Sequence, residues 1–170
     1  MRFLITGGAG FIGSNITKLI LSKGHEVVCL DNLSTGSRSN ISKFEKDDNY
    51  TFVKGDVRDE NIVDELISST DRIFHMAAAV GVRYILEKPL ETIETNVKGS
   101  ELVLKKADKY NKRVMIFSTS EVYGKNSKLP FKEDDDRLMG TTLKMRWAYA
   151  ASKALDEFLA VAYYREKKLD

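Results

Sequence analysis

The chain has 170 residues, enough for one domain with a sizeable core. Its hydrophobic share of 42% and charged share of 31% are those of an ordinary globular protein. The 27 basic and 25 acidic residues leave a net charge of +2, which gives no reason to expect nucleic acid or an anionic membrane surface as partner, and two histidines are too few for a His-rich metal site.

In chain order, the apolar run Arg2-Phe3-Leu4-Ile5 reads as a buried strand over 2–6. Thr6-Gly7-Gly8-Ala9-Gly10-Phe11-Ile12-Gly13 follows at once and fits both Gly8-x-Gly10-x-x-Gly13 and Gly7-x-x-Gly10-x-x-Gly13. Such glycines allow a sharp turn, a close approach of backbone to a pyrophosphate, and tight packing of helix on strand. The helix expected over 11–23 has Ile12, Ile16, Leu19 and Ile20 at helical spacing and Gly24 as its stop. Its first amides, from Phe11 onward, are free to meet phosphate oxygens. A second strand, 26–30, leads to Asp31, about 20 residues beyond the glycines, where a carboxylate can accept both hydroxyls of an adenosine ribose. An acid there favours NAD over its 2′-phosphorylated form; the alternative is a strand-end Asp opening a turn with Asn32. Cys29 lies inside this strand, cannot close an internal disulfide, and reads as a small core hydrophobe in a reducing, cytoplasmic setting.

Further strands are expected at 51–54, 71–76 and 113–118, and helices at 59–69, 79–86, 89–110 and 147–167. This alternation predicts an α/β fold: a Rossmann-type, doubly wound parallel sheet, order 3-2-1-4-5, with helices on both faces and the ligand crevice at the carboxyl ends of the strands. Two polar stretches, 32–50 and 124–146, read as long loops. Arg38 in the first is either a phosphate contact or a solvated loop residue. The run Glu133-Asp134-Asp135-Asp136 in the second reads as a solvated turn. No stretch is long and apolar enough to cross a membrane, and the N-terminus enters a strand with no signal peptide before it.

The last helix carries Tyr149 and Lys153 four residues apart, hence on one face. A phenol titrates near pH 10. A neighbouring ammonium and a nicotinamide cation both favour the phenolate, so Tyr149 is the candidate general base. Phe117-Ser118-Thr119-Ser120-Glu121 closes the fifth strand and puts hydroxyls at the carboxyl edge of the sheet, where the competing role is strand-end capping.

With these landmarks, together with Gly55-Asp56-Val57-Arg58-Asp59, His75-Met76-Ala77-Ala78, Asn96 and Ser118-Thr119-Ser120-Glu121-Val122-Tyr123-Gly124, the chain resembles the extended branch of the short-chain dehydrogenases/reductases. These are the NAD-dependent nucleotide-sugar epimerases, dehydratases and decarboxylases. The resemblance implies that Gly7, Gly10, Phe11, Ile12, Gly13, Asp31, Asn32, Asp56, Val57, Ala77, Ala78, Asn96, Tyr149 and Lys153 serve the cofactor. Within that set Asp56 and Val57 would meet adenine, Ala77 and Ala78 would line the pyrophosphate and ribose, and Asn96 would brace the cofactor side. It implies a catalytic set of Thr119, Glu121, Tyr149 and Lys153, in which Thr119 hydrogen-bonds the sugar 4-hydroxyl and Tyr149 takes its proton as hydride leaves C4.

The resulting 4-keto sugar can be re-reduced on its other face, lose water, or lose CO2 from a C6 carboxylate. Dehydratases carry Asp where this chain has Ser120, which disfavours loss of water. Val80-Gly81-Val82-Arg83-Tyr84 is similar to UDP-hexuronate 4-epimerases, whereas Ser-Thr-Ser-Glu-Val-Tyr-Gly and Arg146-Trp147 are similar to UDP-glucuronate decarboxylases. The expectation is 4-epimerisation of a UDP-sugar, with UDP-glucuronate decarboxylation or a non-turning NAD module as alternatives. Arg83 either faces substrate or sits on a helix surface or dimer contact. The family is about twice this long, so residues 1–170 are expected to be one NAD-binding domain without the substrate domain. Its members pair through helices corresponding to 89–110 and 147–167, which implies a homodimer.

Overall fold

The computed structural model describes residues 1–170. Five parallel strands, β1 (Arg2–Thr6), β2 (Glu26–Asp31), β3 (Tyr50–Lys54), β4 (Arg72–His75) and β5 (Arg113–Ile116), form one sheet in the order β3-β2-β1-β4-β5. Registers such as Phe3 beside Val27 and Arg72 beside Arg113 leave β1 central and place the reversal of strand order between β1 and β4. A ligand crevice belongs at that reversal, outside the carboxyl ends of the strands.

The helices are α1 (Phe11–Ser22), α2 (Arg38–Ile41), α3 (Glu60–Ser68), α4 (Val82–Glu87), α5 (Pro89–Lys109) and α6 (Trp147–Lys167). Because β1 alternates faces, Leu4 joins Val28, Leu30, Val63, Ile67, Val103 and Leu104 on one side, while Phe3 and Ile5 join Val27, Cys29, Ile20, Ile41 and Phe44 on the other. Leu4 and Ile5 are fully buried, each stabilising the fold by about 1.5–3 kcal/mol of transfer free energy. Cys29 is a core residue, and burial pushes its thiol up to about 12.

The sheet order matches the expectation, and the five strands and the four long helices α1, α3, α5 and α6 match to within a few residues. Two segments read as irregular carry short helical turns. Ser37 caps α2 by accepting from the Ser39 amide, and a 3-10 turn, Ser42–Phe44, continues it. Ile41 and Phe44 are the cause: both bury against the β2–β3 face, pulling a polar segment onto the core. Another 3-10 turn, Ser120–Tyr123, follows β5, with Val122 and Tyr123 buried. The helix expected at 79–86 starts later, at Val82, because Gly81 takes a positive φ of 110°.

Candidate active site

The carboxyl ends of β1, β2, β4 and β5 open into a cleft of about 300 Å³. Its floor is the glycine turn. Gly7 has φ +72°, and a Cβ there would stand 2.7 Å from the Ala77 amide nitrogen, so the turn fits against β4 only without a side chain. A Cβ on Gly13 would meet the Gly7 carbonyl oxygen at 2.4 Å, so α1 reaches the strand end only with glycine there. α1 starts with no side-chain cap, and the amides of Phe11, Ile12 and Gly13 have no acceptor within the helix. All three residues line the cleft. Free N–H groups at the positive end of a helix are suited to a diphosphate.

Asp31 closes β2 at one end of the cleft and is buried. Its Oδ2 accepts from the Ala9 amide at 2.9 Å and its Oδ1 from the Leu33 amide at 2.8 Å, so the carboxylate is fixed in place and keeps lone pairs for a diol. Asn32, Val57, Ala77 and Ala78 also line the cleft.

Two expected cofactor residues do not. Asp56 is ion-paired with Arg58 at 2.6 Å and accepts from Asn32, so the Arg58 guanidinium holds its carboxyl down at about 2. Asn96 is buried behind the cleft. Its Oδ1 accepts from the Ala79 amide at 2.8 Å, its Nδ2 donates to Ser152 Oγ at 2.9 Å, and Ser152 donates to the Tyr149 carbonyl. It therefore joins the β4–α4 loop to the first turns of α6.

Tyr149 and Lys153, from α6, line the opposite end, beside Phe117 and Ser118. Burial pushes the Tyr149 phenol above its ordinary value, the Glu121 carboxylate adds to this, and the Thr119 hydroxyl opposes it. Lys153 also meets a carboxylate on its own helix. Its Nζ donates to Asp156 Oδ2 at 2.7 Å, and the pair, one turn further on, is buried. That carboxylate offsets the ammonium charge that Tyr149 would otherwise feel. Thr119 and Glu121, expected in the catalytic set, are not among the residues that line the cleft; Thr119 Oγ1 accepts from the Glu121 amide and caps the 3-10 turn. Ser118 donates to Glu157, which Arg137 also holds.

The remaining candidates sit where solvent dominates. Arg38 pairs with Glu45 at 2.8 Å and Arg83 with Glu87 at 2.7 Å, both largely exposed. In the acidic run only Asp135 is enclosed, bound by Lys128.

The sequence alone pointed to neither Ser100 nor Asp156, and His75 stood only inside a motif. His75 Nδ1 lies 2.8 Å from Thr6 Oγ1 and its Nε2 3.1 Å from Ser100 Oγ, with the whole ring buried. Burial, reinforced by the Lys153 charge, pushes its pKa down to about 3, so it is neutral. A lysine and an aspartate three apart read as a surface pair, and only the packing of α5 on α6 removes this one from water.

Comparison with known proteins agrees with this geometry. The family model described as GDP-mannose 4,6 dehydratase matches residues 4–170. The chain is 44% identical over 164 residues to a UDP-N-acetyl-alpha-D-glucosaminuronate decarboxylase of Bacillus cytotoxicus, covering 95% of this chain and 50% of the relative. It is 34% identical to a dTDP-glucose 4,6-dehydratase of Streptomyces niveus, covering 100% of this chain and 51% of that one. The chain thus spans about half the length of the curated relatives it matches. Among solved structures, the NAD-bound dTDP-glucose 4,6-dehydratase DesIV of Streptomyces venezuelae superposes with a TM-score of 0.90 at 35% identity, over 100% of this chain and 53% of the other. A UDP-glucose 4-epimerase of Thermotoga maritima with UDP-glucose gives 0.87 at 30% identity, over 99% and 53%. The chain belongs to the family of nucleotide-sugar epimerases, dehydratases and decarboxylases within the extended short-chain dehydrogenases/reductases.

Proposed function

We propose that the cleft holds NAD and that this chain is the cofactor-binding and reacting portion of an enzyme that oxidises C4 of a nucleotide sugar. The observation that carries this is one cleft with the uncapped helix start and Asp31 at one end and Tyr149 and Lys153 at the other. The Phe11, Ile12 and Gly13 amides would take the pyrophosphate. Asp31 would take the adenosine ribose and repel a 2′-phosphate. Lys153 would hold the nicotinamide ribose. Bound NAD supplies the acceptor for the hydride from C4. Tyr149 takes the proton of the 4-hydroxyl, and Thr119 hydrogen-bonds that hydroxyl. Burial and Glu121 raise the phenol, and the positive nicotinamide of bound NAD would favour its ionised form.

For the fate of the 4-keto sugar, the 44% identical decarboxylase favours a UDP-hexuronate losing CO2. A 4-keto group is β to the C6 carboxylate, so this step needs no acid to expel a hydroxyl, and Ser120 supplies none. 4-Epimerisation, placed first from the sequence, is the alternative. Val80, in the segment similar to 4-epimerases, lines the cleft. The chain is also proposed to form a homodimer through α5 and α6, where Leu90, Ile93, Leu155 and Phe158 are exposed apolar residues.

A proton NMR time course of the chain with NAD and, in separate tubes, UDP-glucuronate, UDP-N-acetylglucosaminuronate and UDP-glucose tests this. New pentose-type anomeric signals with CO2 release support decarboxylation. A hexuronate with an inverted C4 supports epimerisation. Unchanged sugars with NAD resonances broadened on the protein mean that the chain binds cofactor without turnover. Unchanged sugars and unperturbed NAD overturn the proposal.

A further inference from the structure

The Lys153–Asp156 pair is buried on both sides, and a charged pair withdrawn from water is costly unless further hydrogen bonds complete it. The bonds behind it have a fixed direction. The Ala77 amide donates to Thr6 Oγ1 at 3.1 Å, and the Met76 amide divides its bond between the Thr6 hydroxyl and carbonyl oxygens. The Thr6 hydroxyl is filled as an acceptor, so its proton goes to His75 Nδ1. A neutral imidazole that accepts at Nδ1 carries its proton at Nε2, which donates to Ser100 Oγ. The Ser100 hydroxyl proton then has the Asp156 carboxylate as its acceptor. Asp156 Oδ1 is fully buried and has no hydrogen-bond partner of its own, which leaves it open to that proton.

We propose that Thr6, His75, Ser100 and Asp156 form a directed hydrogen-bond relay, from the glycine turn through β4 and α5 to α6, that positions the Lys153 ammonium for the reaction at Tyr149. The proposal rests on Tyr149 and Lys153 being the reacting pair. His75, Ser100 and Asp156 are positioning residues, since none of them lines the cleft. The relay joins the strand end that carries the glycine turn to the lysine at the opposite end of the same cleft. The charged and titratable groups facing the Lys153–Asp156 pair are Tyr149 and Glu157 on α6 and His75 on β4. Glu157 is held by Arg137 and Ser118.

Two measurements on the full chain test it without NAD, sugar or turnover, so a failure of the NAD proposal stays separate from a failure of the relay. In ¹⁵N-imidazole NMR, His75 is expected as the neutral tautomer protonated at Nε2 from pH 8 to pH 5. A proton on Nδ1, or a cationic ring in that range, overturns the relay. In acetic anhydride labelling read by peptide mass spectrometry, Lys153 is expected to react about tenfold faster in Asp156→Asn, from loss of a charge-assisted bond, and Asp156→Glu to restore protection. Lys106, a buried lysine held by Glu60 and Asp64, reports on the rest of the fold. Unchanged Lys153 labelling with Lys106 still protected overturns the proposal. If Asp156→Asn exposes both lysines, the wild-type His75 tautomer decides, with Nε2–H supporting the relay and Nδ1–H refuting it.

Discussion

Lys153 Nζ and Asp156 Oδ2 stand 2.7 Å apart in a site closed to water, although Lys153 is also the residue that shares a helix face and the cleft with Tyr149. The ammonium is thus balanced by a carboxylate. The Tyr149 phenol is left raised by burial and by Glu121.

Tyr149→Phe keeps the ring and its packing and removes the proton acceptor. Turnover of the nucleotide sugar is expected to fall by at least about a hundredfold, with NAD affinity within about threefold of wild type. Steady-state kinetics and calorimetric NAD titration check both halves. Unaltered turnover would sink the assignment of the base.

Gly13→Ala places a Cβ 2.4 Å from the Gly7 carbonyl oxygen and 2.7 Å from Gly8 Cα, both backbone atoms that cannot turn aside. A loss of about 1–3 kcal/mol in stability is expected, with weaker NAD binding because α1 must back away from the turn. Urea denaturation read by circular dichroism measures the first. Wild-type stability in Gly13→Ala would contradict the close approach drawn for this turn.

His75 gives stability a pH dependence of known sign. Its folded pKa is depressed to about 3, against about 6.5 unfolded. The unfolded chain therefore takes up a proton below about pH 6.5 that the folded chain refuses until about pH 3, and the stability present above pH 6.5 is lost as pH falls through that window. The slope is at most about 1.4 kcal/mol per pH unit. Asp156, whose carboxyl is raised by burial, works the opposite way above its ordinary value of 3.8, and Asp56, held down at about 2 by Arg58, adds loss only below that value. Urea midpoints between about pH 7 and 5, compared with those of a histidine variant, measure its share. His75→Gln is expected to flatten that slope, and an equal slope in the variant would remove His75 as its source.

The exposed Leu155 and Phe158 on α6 are expected to meet a second copy of the chain. Light scattering should give a dimer mass at micromolar concentration, and Phe158→Asp should give a monomer. A wild-type monomer contradicts the proposed pairing.

What the sequence made legible was whatever depends on neighbours along the chain. The glycine turn behind β1, the stripe of α1, Asp31 at the end of β2 and the i,i+4 pair of Tyr149 and Lys153 are local patterns whose periods the backbone imposes. What depended on packing stayed hidden. Ile41 and Phe44 fold a polar stretch into α2 because the β2–β3 face was open to receive them. Asn96 was expected as a brace, but its partners, the Ala79 amide and Ser152, follow only from how α5 packs. The Asp156 carboxylate intercepts Lys153 only because α5 and α6 bury both, and spacing along a helix does not tell a buried pair from a solvated one.

The central claim is that the cleft is a NAD site whose adenosine end is set by Asp31. Calorimetric titration of the chain with NAD and NADP measures it directly. One NAD per chain, with NADP bound at least about tenfold more weakly and the difference erased in Asp31→Ser, is the predicted result. Absence of NAD binding, or equal affinity for NAD and NADP in the wild-type chain, would contradict it.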